Sequence, residues 1–272
     1  MARWVRVKEL QLMLAMLGLI GLLLVLSHLL PRLATGYVLL AWGAIWLPLL
    51  ALLFLQRRVA RRVWLTGYLR DGSPWFGRLR GGPLMLLGQA PVAGLLALAL
   101  LIALARGVSA STWMVLALCV PLWALGWRAL ARYLERHVAP RYLAPLTGGA
   151  LRRIGGVVLL LVLATWALWQ PYPDLGGVTL YEAVRFFAAR QQAESVPLRH
   201  LLEIAAALDG GRHWLAQHWL DGLSGLALQL AAWLVVLVQE WLFVWPFLLL
   251  CQAVGHIIHG HEHANDTDAA RH

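Results

Sequence analysis

Residues 10–31 read LQLMLAMLGLIGLLLVLSHLLP, a run without a single Asp, Glu, Lys or Arg. A helix needs about 20 apolar residues to cross the hydrocarbon core of a bilayer, and this run supplies them. A short basic start precedes it, with Arg3, Arg6 and Lys8. A secretory leader would carry a shorter apolar region and a small-residue cleavage site. The run closes instead on Ser27-His28-Leu29-Leu30-Pro31, so a retained membrane span is expected. Further apolar runs occupy 33–56, 81–105, 107–127, 154–173 and 222–258, the last interrupted only by Glu240. The sequence therefore predicts an all-α fold, a polytopic transmembrane helical bundle of about six spans.

Composition agrees. Apolar residues make up 61% of the chain and charged residues 13%, against about 25% charged in a soluble domain. Too few solvated groups remain to cover a surface of this size, so the bilayer must act as solvent. The net charge of +10 does not point to nucleic acid, because the arginines crowd the edges of apolar runs. That is the pattern of loops held at an anionic lipid surface. Nearly all basic residues are arginine, which with abundant Ala and Leu suggests a GC-rich bacterial genome. Cys119 and Cys251 fall inside apolar runs without a CxxC partner, so buried, inert thiols are expected and no cysteine-based cofactor.

Orientation follows from the basic residues of alternate connections. The N-terminus, 56–84 and 128–153 together hold sixteen Lys and Arg, whereas Arg32, Arg106 and the segment 174–221 contribute six. By the positive-inside rule the N-terminus and both Arg-rich loops are expected in the cytoplasm of a bacterial inner membrane, 174–221 in the periplasm, and the C-terminus back in the cytoplasm. The chain then divides into a five-span bundle with two basic loops (1–173), a periplasmic helical insertion (174–221), a last span (222–258) and a flexible His-rich tail (259–272). Pro48, Pro121 and Pro246 stand at similar places in three would-be hairpins, a weak sign of internal repetition with kinked helices.

Within the insertion, Thr179-x-x-Glu182 is a capping box that predicts a helix through Phe186, Phe187 and Gln192. Pro197 opens a second helix, which Asp209-Gly210-Gly211 is expected to end, and a short third runs over 213–220. Next to the spans, residues 56–70 and 128–143 interleave arginine with apolar side chains. They are expected to be interfacial helices, with Arg57, Arg58, Arg61, Arg62, Arg128, Arg132 and Arg136 meeting lipid or a partner.

Three features bear on chemistry. Glu240, beside Gln239, is a carboxylate in an apolar run, and such residues usually face a cavity or a cation; an ion or proton site is one reading. The run 222–258 would measure roughly 55 Å as a helix, however, so the span can begin near Ala232, with Trp233, Trp241 and Trp245 as an aromatic belt and Glu240 at headgroup depth. His256, His259, His261 and His263 could hold zinc, nickel or copper, although terminal His tracts are commonly disordered. Gly222-Leu223-Ser224-Gly225 followed by His256 resembles the serine–histidine dyad of rhomboid intramembrane proteases, whose two residues lie on different helices. Here Ser224 and His256 fall at opposite ends of one apolar run, beyond the hydrogen-bond reach that a nucleophile needs from its base, so no dyad is expected.

No P-loop, GxGxxG or HExxH motif is present, and nothing argues for an enzyme. The expected function is that of a non-enzymatic subunit or scaffold of a larger membrane assembly, with lipid, other membrane proteins or further copies of the chain as partners. The alternative is a small transporter or channel using Glu240. A lipid- or quinone-directed enzyme with its site among the arginines of 56–84 and 128–153 is a third class.

Overall fold

Apolar runs of membrane length fold as helices because only a helix satisfies every backbone N–H and C=O within one segment. The computed structural model describes residues 2–68, 82–138, 140–169, 173–220, 234 and 237–256. In chain order the helices are α1 (Ala2–Leu29), α2 (Thr35–Tyr68), α3 (Pro83–Ala105), α4 (Ala110–Glu135) and α5 (Pro140–Trp169). Two helices of a cap follow, α6 (Leu180–Ala189) and α7 (Val196–Leu220), and then α8 (Leu237–His256). Among the described residues, six helices contain stretches long and apolar enough to cross a membrane: Leu10–Arg32, Thr35–Arg61, Met85–Ala105, Ala110–Glu135, Leu146–Trp166 and Leu237–His256. The protein is a polytopic helical bundle, a multi-pass membrane protein.

Local chemistry sets several helix ends. Pro31 sits in the 3-10 turn Leu30–Arg32 that closes α1, where its missing N–H cannot extend the α ladder. Ser109 caps α4 by accepting the Thr112 N–H at 3.2 Å. Between α3 and α4 the chain turns at Gly107, whose φ of 83° is open to glycine at little cost.

Many of the largest exposed side chains are apolar, among them Leu40, Leu95 and Leu118 on three different spans. In water each would forfeit about 25 cal/mol per Å2 of apolar surface; in lipid it forfeits nothing. Inside, Met16, Leu49, Leu100, Leu116 and Leu249 form one continuous core. α1 packs on α3 and α4, α2 on α3, and α4 on α5. The α2–α3 seam is fastened by indoles: Trp42 Nε1 donates to Gly94 O at 3.1 Å and Trp46 Nε1 to Ala90 O at 3.0 Å. The two rings stack at 5.6 Å. The α5 seams use small residues instead. A Cβ on Gly155 would meet Trp123 of α4 at 3.1 Å, and one on Gly156 would meet Leu248 of α8 at 3.3 Å, so glycine sets the approach.

The structure departs from the sequence reading in three places. First, α5 starts at Pro140, and its candidate span from Leu146 includes Arg152 and Arg153. The sequence places both in a loop because the uncharged run begins only at 154. Second, residues 56–68 are no separate interfacial helix but the last turns of α2, and 128–135 likewise continue α4. Helix formers such as Arg, Ala and Leu carry the helix on past the apolar run. Third, Asp209-Gly210-Gly211 does not end a helix: α7 runs unbroken from Val196 to Leu220. α6, in turn, stops at Ala189, short of Gln192.

Candidate functional site

The cap is built first by its own local bonds. Thr179 Oγ1 accepts the Glu182 N–H at 3.3 Å, while Glu182 Oε2 accepts the Thr179 N–H at 2.9 Å, a reciprocal capping box at the start of α6. The Thr179 N–H, and second the Thr179 hydroxyl, which donates to Oε2 at 2.8 Å, hold the Glu182 carboxyl below the usual range. Gly210 lets α6 and α7 touch: a Cβ there would lie 2.9 Å from Ala183 O. Gly210 is therefore a contact residue, not a helix stop. Trp214 Nε1 donates to Val178 O at 2.6 Å, and Gln217 bridges Leu175 N–H and Pro173 O, each at 2.8 Å.

The cap then joins the bundle at two points. Near the end of α1, the Glu194 N–H donates to Pro31 O at 3.0 Å, and the Ser195 and Thr35 hydroxyls meet at 3.1 Å. The second point is a charged junction where α3 ends and α8 begins. Arg106, which follows α3, forms an ion pair with Asp209 of α7. Gln239 of α8 donates through Nε2 to Asp209 Oδ1 at 2.9 Å and accepts from Arg212 Nη1 through Oε1. Glu240, the next residue, is within electrostatic reach of both Arg106 and Arg212.

Two guanidinium groups, two carboxylates and one amide thus meet where three helices converge. Burial first, and then Arg212, lower Arg106 from the ordinary arginine value, while Glu240 pulls it back up. His213 lies beside them with its ring 5.5 Å from Phe187. Burial, followed by repulsion from Arg212 and Arg106, pushes it down to about 4, so it is neutral at pH 7. A balanced set like this fixes geometry, because losing any member strands an opposite charge in a poorly solvated place.

A second polar cluster lies at the opposite end of the bundle. Arg152 of α5 donates through Nη1 to Gln56 Oε1 of α2 and to Gln252 Oε1 of α8, each at 3.0 Å. Gln56 Nε2 donates to Gln252 Oε1 at 3.1 Å, and the guanidinium stands 4.8 Å over the Trp245 ring. Gln252 is buried, as is Arg152 at 8% exposure. The sequence reading missed this set. The signal available was the pair of glutamines, each near the same end of its apolar run.

The expected site residues are distributed as follows. Gln239 and Glu240 stand at the charged junction, at the start of α8, and Trp241 stacks on Trp245 at 5.6 Å. Ala232 and Trp233 lie outside the described residues. Arg57 and Arg61 of α2 are exposed and Arg58 is half-buried; Arg62 is on the same helix. Arg132 and Arg136 are exposed and Arg128 half-buried at the end of α4. His256 falls in the last turn of α8, whereas His259, His261 and His263 lie outside the described residues, as does Ser224. Among the described residues, no three His, Cys, Asp or Glu side chains come together to hold a metal ion. No protein-family model matches the chain, and no curated protein or solved structure is significantly similar to it.

Proposed function

We propose that this protein is a non-enzymatic subunit or scaffold of a larger assembly in a bacterial inner membrane. Its termini and arginine-rich end would face the cytoplasm, and the α6–α7 cap would face the periplasm. The observation that carries this reading is the charged junction. Arg106, Asp209, Arg212 and Gln239 bond to one another and lock a folded cap onto the spans, an arrangement suited to presenting a fixed surface to a neighbour. The arginines of α2 and α4 supply a second surface at the other end. Purification in mild detergent tests the proposal: a stoichiometric membrane partner is expected to co-purify, and recovery of a solitary compact oligomer would count against it.

A transport reading is favoured by one observation, the position of Glu240 at the start of a span beside two arginines. Purified protein in liposomes loaded with a pH-sensitive dye separates the two. Proton flux that is lost in Glu240→Gln at normal expression supports transport, and its absence in the wild type leaves Glu240 as part of the junction.

A further inference from the structure

The Arg152 cluster is not balanced as the charged junction is. Its partners, Gln56, Gln252 and the Trp245 ring, are all neutral. Among the described residues the charged group acting on it is Arg153, a second cation. Among the described residues, Arg152 Nε has no hydrogen-bond partner, and neither does the buried hydroxyl of Thr147, earlier on the same helix. A guanidinium taken out of water without an anion is costly, and such groups in spans are normally paired.

Depth adds a second constraint. At 1.5 Å per residue, Arg152 lies about 9 Å along its helix from Leu146, Gln252 about 6 Å from His256, and Gln56 about 7.5 Å from Arg61. All three span ends belong to the arginine-rich face, so the cluster sits at one level, just inside it. Gln56 is half-buried, and Arg57 and Arg153 next to the cluster are exposed, which makes the approach from this face electropositive.

We propose that Arg152, with Gln56 and Gln252, binds a phosphate-bearing anion between α2, α5 and α8. The planar guanidinium offers phosphate oxygens donors in fixed geometry. The glutamines turn their carbonyl oxygens to Arg152 and hold its fork in place. The phosphate comes either from the headgroup of an anionic lipid or from solution. This site stands independently of the scaffold proposal.

The test uses the full chain in dodecyl maltoside, with dioleoyl phosphatidylglycerol and inorganic phosphate added separately. Thermal unfolding and native mass spectrometry are the readouts. Wild type is expected to melt higher with one of the two probes and to retain it as a bound adduct. Stabilisation by the lipid alone assigns a headgroup site, and stabilisation by inorganic phosphate assigns a soluble anion. Arg152→Gln is expected to abolish the shift, while Arg185→Gln, exposed on the cap, keeps it. Arg152→Lys, which keeps the charge but loses the fork, is expected to bind about tenfold more weakly. No stabilisation of wild type by either probe overturns the proposal. So does undiminished binding by Arg152→Gln or, should that variant not fold, by Arg152→Lys.

Discussion

Asp209 is the residue on which the cap junction turns. It is buried, pairs with Arg106, and accepts from Gln239. Asp209→Ala is expected to cost about 1.5–3 kcal/mol, the range for losing hydrogen bonds to a charged group. Because much of that cost is a stranded Arg106, the double variant with Arg106→Ala should lose less than the two singles combined. Chemical unfolding in detergent measures all three, and strict additivity would sink the coupling. At the other end, a Cβ on Gly148 would lie 2.9 Å from Gln252 Nε2. The amide can swing away, so Gly148→Ala should leave the bundle folded but shift the carboxamide that Arg152 uses.

Single residues also show where the sequence was opaque. Gln56 and Gln252 meet across 196 positions, and no local pattern announces such a contact. Arg152 reads as loop in the sequence because charge ends an apolar run; the amide oxygens and indole face that receive part of its guanidinium come from other helices. Glu240 stood out by its chemistry alone. Its surroundings of Arg106 and Arg212 come from other helices and were invisible.

At the scale of elements, the six spans and the start of α6 were legible because length, apolarity and the Thr179–Glu182 box act within one segment. The extent of α7 was not. Glycine pairs usually end helices, but Gly210 is selected by the proximity of Ala183 O, a tertiary demand. Gly210→Ala should therefore force α6 and α7 apart, at about 1–3 kcal/mol. Faster hydrogen exchange over residues 180–189, with the spans unchanged, is the expected signature. Acid acts on the same pair of helices. His213 is held down to about 4 against 6.5 unfolded, so its unfolded form binds more protons between those values. Its contribution is complete above pH 6.5 and is lost as pH falls towards 4. Glu182, also lowered, acts in the same direction further into acid. Hydrogen exchange in the cap is expected to rise between pH 6.5 and 4, and His213→Phe should flatten that rise.

For the whole molecule, orientation is the central prediction. Two of the sixteen basic residues on the arginine-rich side, Arg152 and Arg153, belong to the fifth span, and the bias survives without them. Alkaline phosphatase fused near Glu203 should be active, and fusions near Arg58 or Arg136 inactive; the opposite pattern would overturn the topology. The three prolines behind the suspected repeat have company, since α3 also contains Pro91. Proline inside several helices is a common property of membrane bundles.

The 34 residues of α2 measure roughly 50 Å as a helix, whereas the hydrocarbon core is about 30 Å thick. Because the arginine arm continues the helix of the span without a break, it cannot lie down on the lipid while the end of the span next to it stays upright. A load applied at Tyr68 would swing the other end, where Trp42 and Trp46 grip α3. Spin labels at Arg61 and Thr179 would register that leverage as a change of separation when the arm is engaged. A docking event on one side of the membrane would thereby be mechanically audible on the other.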